Sequence, residues 1–352
     1  MTDQSTFDYK IAMIGQSRIG KTSLITAILQ ESQSLLAGTN VLIEAGDEKT
    51  QKRINRYKEQ LKASLMVGEF NPSSVDGQAE IVNYFLDMRV IRKQKLKQSL
   101  PGKTKVRLGI LDYPGGWMDL EEFPERREAW ETCKEWMHES AILIIPIDAS
   151  MLMESLTRDD FLQALRGLAI EDVAVIAQTW AKDRRERQDP GLLILAPVKC
   201  ENYFNDNGGL QDRAEDLFNV VAQKFYKDVI KNVRQEANDP NLIKVEYYPV
   251  DTIGSVELKK ARWIDNEYRP GKKYLDAQYI VRSHTNGEFR PYGADAVLQS
   301  ICKHIIGQEQ EKKRGIVANF LRWATGENKE IREALEKISK ASVKSNRKKV
   351  VD

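Results

Sequence analysis

The residues with the clearest chemical pattern lie near the start of the chain, where glycine, lysine and threonine recur at fixed spacing. They form the segment Gly15-Gln16-Ser17-Arg18-Ile19-Gly20-Lys21-Thr22, followed by Ser23. In a G-x-x-x-x-G-K-[ST] loop, successive backbone N–H groups and the next helix N-terminus point at the same phosphates. The lysine reaches the terminal phosphates and the threonine hydroxyl binds magnesium. We therefore predict that residues 15–23 bind a nucleotide with Mg²⁺.

A second polar pattern begins at Asp112, directly after a predicted strand. The segment is Asp112-Tyr113-Pro114-Gly115-Gly116-Trp117. An acid at a strand end with glycine three residues later is the D-x-x-G pattern of GTPases. There Asp112 would hold magnesium through water, and the Gly115 N–H would sense the γ-phosphate. A tight Pro-Gly turn is the alternative, but behind a phosphate loop we favour the functional interpretation.

A lysine and an acid follow a later apolar strand, where GTPases place Asn-Lys-x-Asp for base recognition. In that motif the carboxylate accepts two hydrogen bonds from guanine and the lysine stem covers the ring. Lys199 matches, Val198 stands in place of Asn, and Glu201 replaces Asp with one extra methylene. We predict that Lys199 and Glu201 recognise guanine, and that the backbone at Asp251 and Thr252 supports the base. Two solvated charges at a strand end are the alternative.

Serine and arginine residues supply further candidates. Ser73 and Ser74 precede the second predicted strand, where a switch segment would offer a hydroxyl to magnesium. Ser74 is the better placed of the two, and ordinary turn capping is the alternative. A cation for the transition state is expected from Arg18, Arg126 or Arg127, for which a surface position is the alternative. The predicted catalytic residues are Lys21, Asp112, Gly115 and Arg18, and the predicted magnesium ligands are Thr22, Ser74 and Asp112.

The elements that must position these residues alternate between strands and helices. Strands are predicted at residues 9–14, 80–90, 105–111, 141–147, 192–198 and 243–250, with residues 80–90 at a sheet edge. Helices are predicted after Lys21 and at about 118–138, 158–188 and 211–237. Continuous apolar runs such as 141–147 are typical of buried parallel strands. The alternation predicts an α/β fold with a mostly parallel, doubly wound sheet.

Two insertions and a terminal extension complete the predicted organisation. Residues 1–310 would form one nucleotide-binding domain, with insertions at about 39–79 and 255–292. The first insertion contains a predicted charged helix at 47–65, and the second a predicted antiparallel hairpin. Residues 311–352 are expected to be a helical extension, with a basic tail at 344–349 that frays.

Composition narrows the functional class. Lys and Arg total 54 against 52 for Asp and Glu, so no global field favours nucleic acid or an anionic membrane. We interpret the basic run at 92–107 as a solvated hairpin, with binding of nucleic acid or a partner as the alternative. The three cysteines form no C-x-x-C pair, which is typical of a reducing compartment without structural zinc. No apolar run is long enough to span a bilayer, and no signal or transit peptide is evident. We expect a cytoplasmic protein.

The phosphate loop and the Asp-Tyr-Pro-Gly-x-Trp segment together resemble a known family. They are similar to the YcjX-like branch of bacterial translation-factor-class (TRAFAC) P-loop GTPases, and to double-GTPase proteins proposed for prokaryotic conflict systems. The resemblance covers the nucleotide domain only, and it implies a Ras-like sheet, magnesium and a guanine nucleotide. Gly116 departs from it, because YcjX-like proteins carry an acid there and small GTPases a water-orienting glutamine.

These patterns predict a magnesium-dependent GTP-binding switch with slow hydrolysis. GTP or GDP would order residues 66–79 and 112–125, which would present a surface to a protein partner or a second copy. An ATP-dependent enzyme, either an ATPase or a small-molecule kinase, is the first alternative. A nucleotide-bound interaction scaffold with little turnover is the second.

Overall fold

The computed structural model describes residues 7–16, 18–37, 39–70, 81–90, 105–113, 127–265, 273–312 and 329–351. Its strands are β1 (Phe7–Met13), β2 (Val41–Ala45), β3 (Glu69–Phe70), β4 (Val82–Val90), β5 (Lys105–Asp112), β6 (Ile142–Asp148), β7 (Gly191–Val198), β8 (Ile243–Tyr247), β9 (Val256–Asp265), β10 (Lys273–Val281) and β11 (Lys349–Val350). Its α-helices are α1 (Lys21–Leu35), α2 (Glu48–Met66), α3 (Arg127–Glu139), α4 (Ala149–Met153), α5 (Arg158–Gly167), α6 (Ile170–Arg187), α7 (Ala214–Phe218), α8 (Lys227–Ala237), α9 (Ala294–Lys312) and α10 (Lys329–Lys340).

The main sheet of the described chain has eight strands in the order β11-β8-β7-β6-β1-β5-β4-β2. The strands β8, β7, β6, β1 and β5 pair in parallel, and β4, β2 and β11 add antiparallel pairs at the two sides. The predicted α/β class and the mostly parallel sheet are confirmed. The prediction that residues 80–90 form an edge strand is wrong, because β2 pairs along the outer side of β4 from Val41↔Val90 to Ala45↔Leu86.

Helices cover both faces of this sheet because the buried strands present apolar side chains to either side. Ile14 and Leu143 pack with Trp180 in the cluster beneath α3, α6 and α8. Ile11 packs with Leu24 of α1 in the opposite cluster, which also includes residues of α9 and α10. Among the described helices, none is long and apolar enough to cross a membrane.

A small second sheet stands beside the main one. Its order is β3-β10-β9, and the antiparallel β9–β10 pair confirms the hairpin predicted in the second insertion. Tyr57, Leu61 and Leu65 of α2 pack on this sheet. The charged helix predicted at 47–65 is confirmed as α2. Asp47 caps its first turn by accepting a hydrogen bond from the Thr50 N–H.

Two helix predictions and one prediction for the tail need correction. The helix predicted at 158–188 is divided into α5 and α6 by Leu168 and Ala169, and Ala169 has a left-handed φ of 48°. Residues 211–237 likewise form α7, a π-helical segment and α8. The tail does not fray, because β11 pairs with β8 and buries Val351. Of residues 118–138, only those from 127 lie within the described chain, in α3.

Candidate nucleotide-binding site

The candidate site lies at the carboxyl edge of the parallel strands. β1 ends just before the phosphate loop, β5 ends at Asp112, β6 at Asp148 and β7 at Val198. Because these four strands are neighbours and run in parallel, their ends meet at one edge. Helix α1 begins at Lys21 with no side-chain cap, so its first N–H groups remain available to an anion.

The phosphate loop depends on a glycine that no other residue could replace without strain. Gly20 precedes α1 with φ at 114°, and a Cβ there would lie 3.1 Å from Cγ2 of Val198. Such a φ is unfavourable for residues with a side chain. The loop therefore fits closely against the end of β7, and Val198, which stands where GTPases carry asparagine, is part of that packing.

Lys21, Thr22 and Asp112 meet at the start of α1. Lys21 Nζ donates to the carbonyl oxygens of Gly15 at 2.9 Å and Gln16 at 3.1 Å. It lies 3.7 Å from Asp112 Oδ1, and the Thr22 hydroxyl donates to Asp112 Oδ2 at 3.2 Å. Burial lowers the pKa of Lys21 and raises the pKa of Asp112, and the attraction between the two charges opposes both shifts. The arrangement places a cation and an anion side by side at a helix N-terminus.

Tyr113 contacts the phosphate loop through its hydroxyl group, a role that the sequence patterns did not predict. Its hydroxyl accepts a hydrogen bond from the Gly15 N–H at 3.2 Å, and Lys21 Nζ lies 5.3 Å from the centre of its ring. The ring is fully buried and makes an edge contact with Trp130. The signal available in the sequence was its position directly after Asp112.

Lys199, which is predicted to contact the base, links the ends of β6 and β7 to the phosphate loop. Its Nζ pairs with the carboxylate of Asp148 and donates to the Arg18 carbonyl oxygen at 3.3 Å. Lys199 has a left-handed φ of 59°, which turns the chain sharply after β7. Asp148 also caps α4 by accepting from the Ser150 N–H at 3.0 Å. Asp148 was missed in the sequence, although an acid that ends an apolar run is a recognisable signal.

Glu201 is buried and turned toward the loop that follows β8. Its Oε1 accepts from the N–H groups of Ile253 at 2.7 Å and Gly254 at 3.2 Å. Its Oε2 is buried and, among the described residues, has no hydrogen-bond partner. Burial and the nearby charge of Asp251 raise the pKa of Glu201 to about 7. The alternative of two solvated charges does not hold, since Glu201 is 1% exposed.

The residues predicted to support the base lie in a loop that contacts both Glu201 and Arg347. Thr252 is buried, but the amides that meet Glu201 belong to the next two residues. The Asp251 carboxylate pairs with Arg347 from the carboxyl-terminal segment, at 2.7 and 3.0 Å. These contacts join residues far apart in the chain, which the local pattern could not indicate.

Other predicted site residues are spread between the surface and segments without a described position. Arg18 and Arg127 are exposed, while Ile19 is buried and Ser23 accepts from the Tyr57 hydroxyl at 2.7 Å. The remaining predictions fall outside the described residues, and they concern Ser17, Ser73, Ser74, Gly115, Gly116, Arg126 and most of the basic run at 92–107.

The α/β fold, with the phosphate loop at the carboxyl ends of the parallel strands, is compatible with the P-loop NTPase class. Beyond the class, the YcjX-like family, DUF463, matches residues 9–141. The resemblance inferred from the phosphate loop and the Asp112 segment is confirmed over that region. The match ends before Lys199 and Glu201, so it includes Lys21, Thr22 and Asp112 and not the two residues predicted to bind the base. No curated protein matches the chain.

Proposed function

We propose that this protein is a magnesium-dependent GTP-binding switch that hydrolyses GTP slowly and is accelerated by a partner. The observation that carries the proposal is the meeting of Lys21, Thr22 and Asp112 at the start of α1. It combines a cation for phosphate with a hydroxyl and a carboxylate for magnesium, on a loop whose amides and helix end favour anions. The YcjX-like match over this region supports a nucleotide ligand.

We propose that Lys21 and the N–H groups of the phosphate loop bind the phosphates. Lys21 Nζ exchanges its contacts with the Gly15 and Gln16 carbonyls for oxygens of the β- and γ-phosphates. The loop N–H groups and the N-terminus of α1 bind the same oxygens. Tyr113 keeps the loop in place through its contact with Gly15.

The residues present also fit Mg²⁺. Asp112 Oδ1 is buried and lacks a hydrogen-bond partner within the described part of the chain, and Thr22 Oγ1 lies beside the other carboxylate oxygen. Mg²⁺ binds proteins through one or two oxygen ligands together with waters and substrate phosphates. Thr22 and Asp112 would hold the ion, with Ser74 as a third proposed ligand. When bound, it would neutralise the charge that develops on the phosphate oxygens.

On the base side, we propose that the nucleotide carries guanine. The stem of Lys199 spans from β7 to the phosphate loop, so a ring lying along it would contact the methylene groups. Glu201 Oε2 is the acceptor that faces no donor in the described chain, and guanine offers N–H donors on its pairing edge where adenine offers an acceptor at N1. We also propose the Ras-like variant of the fold. The phosphate loop, Asp112 and Lys199 lie at the ends of the parallel strands β1, β5 and β7, which is the chain order of the corresponding GTPase motifs.

Hydrolysis by the isolated chain should be slow. Gly116 provides no side chain to orient water, and the Arg18 side chain is exposed. Residues 66–79 and 112–125, with Gly115 contacting the γ-phosphate, would form the switch surface for a protein partner or a second copy.

One observation favours an ATP-dependent enzyme as a second candidate. Glu201 Oε1 is already bound by the amides of Ile253 and Gly254. Only one carboxylate oxygen therefore lacks a partner among the described residues, whereas strong guanine selection uses two hydrogen bonds. The preference for guanine over adenine therefore distinguishes the GTP-binding switch from the ATP-dependent enzyme.

The variant Glu201→Gln tests the proposal. Its amide oxygen can still accept from Ile253 and Gly254, which leaves the NH₂ group facing the base in place of an acceptor. We expect GTP affinity to fall by about ten- to a hundredfold and ATP affinity to stay within about twofold. Fluorescent-nucleotide titration with Mg²⁺ measures both. Glu236→Gln, on the surface of α8, is the matched control. Equal loss for both nucleotides would favour the ATP-dependent candidate.

A further inference from the structure

The carboxyl-terminal segment, residues 343–351, returns to the sheet beside the base side of the candidate site. β11 pairs with β8, and the Val351 N–H donates to the Val245 carbonyl at 3.1 Å. Closer to α10, the Lys344 N–H donates to Asp295 Oδ2 at 2.8 Å. Between these two anchors the segment passes the loop at residues 251–254, where Arg347 turns inward.

Arg347 is a buried cation held by two carboxylates and two rings. Its guanidinium binds Asp251 at 2.7 and 3.0 Å and Asp206 at 2.9 and 3.0 Å. The guanidinium carbon lies 3.9 Å from the centre of the Phe204 ring and 4.8 Å from that of Tyr292. The side chain is only 3% exposed. A buried ion pair is weak evidence for stability, because removing two charges from water can cost more than their attraction returns.

Asp251, which Arg347 binds, lies in the loop that contacts Glu201. Asp251 begins the loop whose next amides, at Ile253 and Gly254, bind Glu201 Oε1. Gly254 has φ at 79°, and a Cβ there would lie 1.6 Å from the Arg290 carbonyl oxygen, so this loop has little freedom. A shift at Asp251 would therefore move the amides that orient the carboxylate.

Charge couples the same residues. Asp251 carries a negative charge close to Glu201, and this proximity raises the pKa of Glu201. Arg347 pairs with Asp251 through two hydrogen bonds and compensates that charge. Without the guanidinium, Asp251 would keep its hydrogen bond from Asn207 but lose its countercharge, so Glu201 would protonate more readily, which removes an acceptor from the base side.

We infer that Arg347 is a positioning residue for base recognition, so that the carboxyl-terminal segment sets the preference for guanine over adenine. This inference rests on the proposed function, since it concerns how Glu201 is held for guanine. Phosphate binding by Lys21 does not pass through Arg347. Loss of Arg347 should consequently change selectivity between bases, and the affinity shared by all triphosphates should change much less.

The experiment compares GTP and ATP affinities, with Mg²⁺, for the unaltered chain and for Arg347→Ala. We expect the ratio of GTP to ATP affinity to fall by about tenfold or more, mainly through GTP. The matched control is Lys348→Ala, because Lys348 is the next residue and pairs with Glu246 of β8. It should keep the original ratio. If Arg347→Ala unfolds, Arg347→Gln removes the charge while keeping a longer polar side chain, and the ratio of GTP to ATP affinity for that variant is the test.

Three results overturn the inference while leaving the proposed function intact. These are an unchanged ratio in the Arg347 variant, an equal loss of GTP and ATP affinity, and the same fall in the ratio for Lys348→Ala. If the unaltered chain itself shows no preference for guanine, the proposed function fails first and the inference falls with it.

Discussion

At the scale of single residues, the main feature is a charge pair held away from water. Lys21 is 6% exposed and Asp112 1% exposed, and their nearest charged atoms are 3.7 Å apart. Burying two charges costs more than a single ion pair returns, unless further polar contacts satisfy them. Here the loop carbonyls bind Lys21 and Thr22 binds one oxygen of Asp112, while Asp112 Oδ1 has no hydrogen-bond partner among the described residues. The pair thus offers the charges that the proposed phosphate and magnesium ligands require.

We predict that Lys21→Met lowers triphosphate affinity by about a hundredfold or more, because it removes charged hydrogen bonds to phosphate while keeping the stem against Tyr113. Nucleotide titration measures the loss, and circular dichroism checks the fold. Lys58→Met is the matched control, since Lys58 contacts Gln30 on the α1–α2 surface. An unchanged affinity for the Lys21 variant would contradict the site.

Thr22→Ala tests the magnesium part separately. The Thr22 hydroxyl is the oxygen that lies beside Asp112. Its loss should remove most of the gain in triphosphate affinity that Mg²⁺ provides, and affinity in the presence of a chelator should stay within about twofold. Titrations with Mg²⁺ and with a chelator compare the two conditions. A full magnesium-dependent gain in the variant would argue against Thr22 as a ligand.

At the scale of elements, α1 connects the phosphate loop to α9 through Glu31. The Glu31 carboxylate accepts from the N–H groups of Ala294 at 2.6 Å and Asp295 at 3.2 Å, at the start of α9. Burial, and secondly the charge of Asp295, raise the pKa of Glu31 to about 7, although Lys344 lies 3.6 Å away. Helix α1 is therefore fastened at both ends.

This contact predicts a dependence of stability on pH. A carboxyl with a raised folded-state pKa contributes stability that is complete below its unfolded value, 4.5, and is lost as pH rises through about 7. Between pH 5 and 8, the free energy of unfolding of Glu31→Gln should therefore rise relative to the unaltered chain by about 1 to 3 kcal/mol. Urea denaturation at several pH values measures it. Glu48→Gln, at an exposed position, is the control, and a difference independent of pH would contradict the assignment.

Elements whose signals are local could be predicted from the sequence. The phosphate loop, the apolar strands β6 and β7 and the charged helix α2 carry their own patterns of glycine, apolar runs and periodicity. β2 was missed because a five-residue strand inside an insertion has no distinctive period, and that omission made β4 look like an edge. The partners of Glu201 and Arg347 depend on tertiary packing, so no local pattern indicates them.

At the scale of the whole molecule, the two apolar clusters place helices on both faces and leave the carboxyl strand edge for the site. The chain then returns through β11 to the side of the sheet next to β8. The proposed phosphate site at Lys21 and the proposed base site at Glu201 are thus held by different parts of the sequence. A partner that binds the proposed switch segments, residues 66–79 and 112–125, would act on the proposed phosphate site.

The proposed switch predicts slow turnover that depends on a partner. The isolated chain should hydrolyse GTP at about 10⁻³ s⁻¹ or slower, and an arginine supplied by a partner or a second copy should accelerate it about 10³- to 10⁵-fold. Single-turnover assays over a wide range of protein concentration measure this, with Arg18→Ala alongside. Rapid turnover that is independent of concentration and survives Arg18→Ala would contradict both the slow switch and a role for Arg18.

The most direct test of the central claim is a calorimetric titration of the unaltered chain with GTP, GDP and ATP, each with Mg²⁺ and with a chelator. The account predicts that GTP binds more tightly than ATP and that Mg²⁺ strengthens the binding of GTP. Binding of ATP as tight as that of GTP would contradict guanine recognition at Glu201. Triphosphate binding that does not respond to Mg²⁺ would contradict the site formed by Lys21, Thr22 and Asp112.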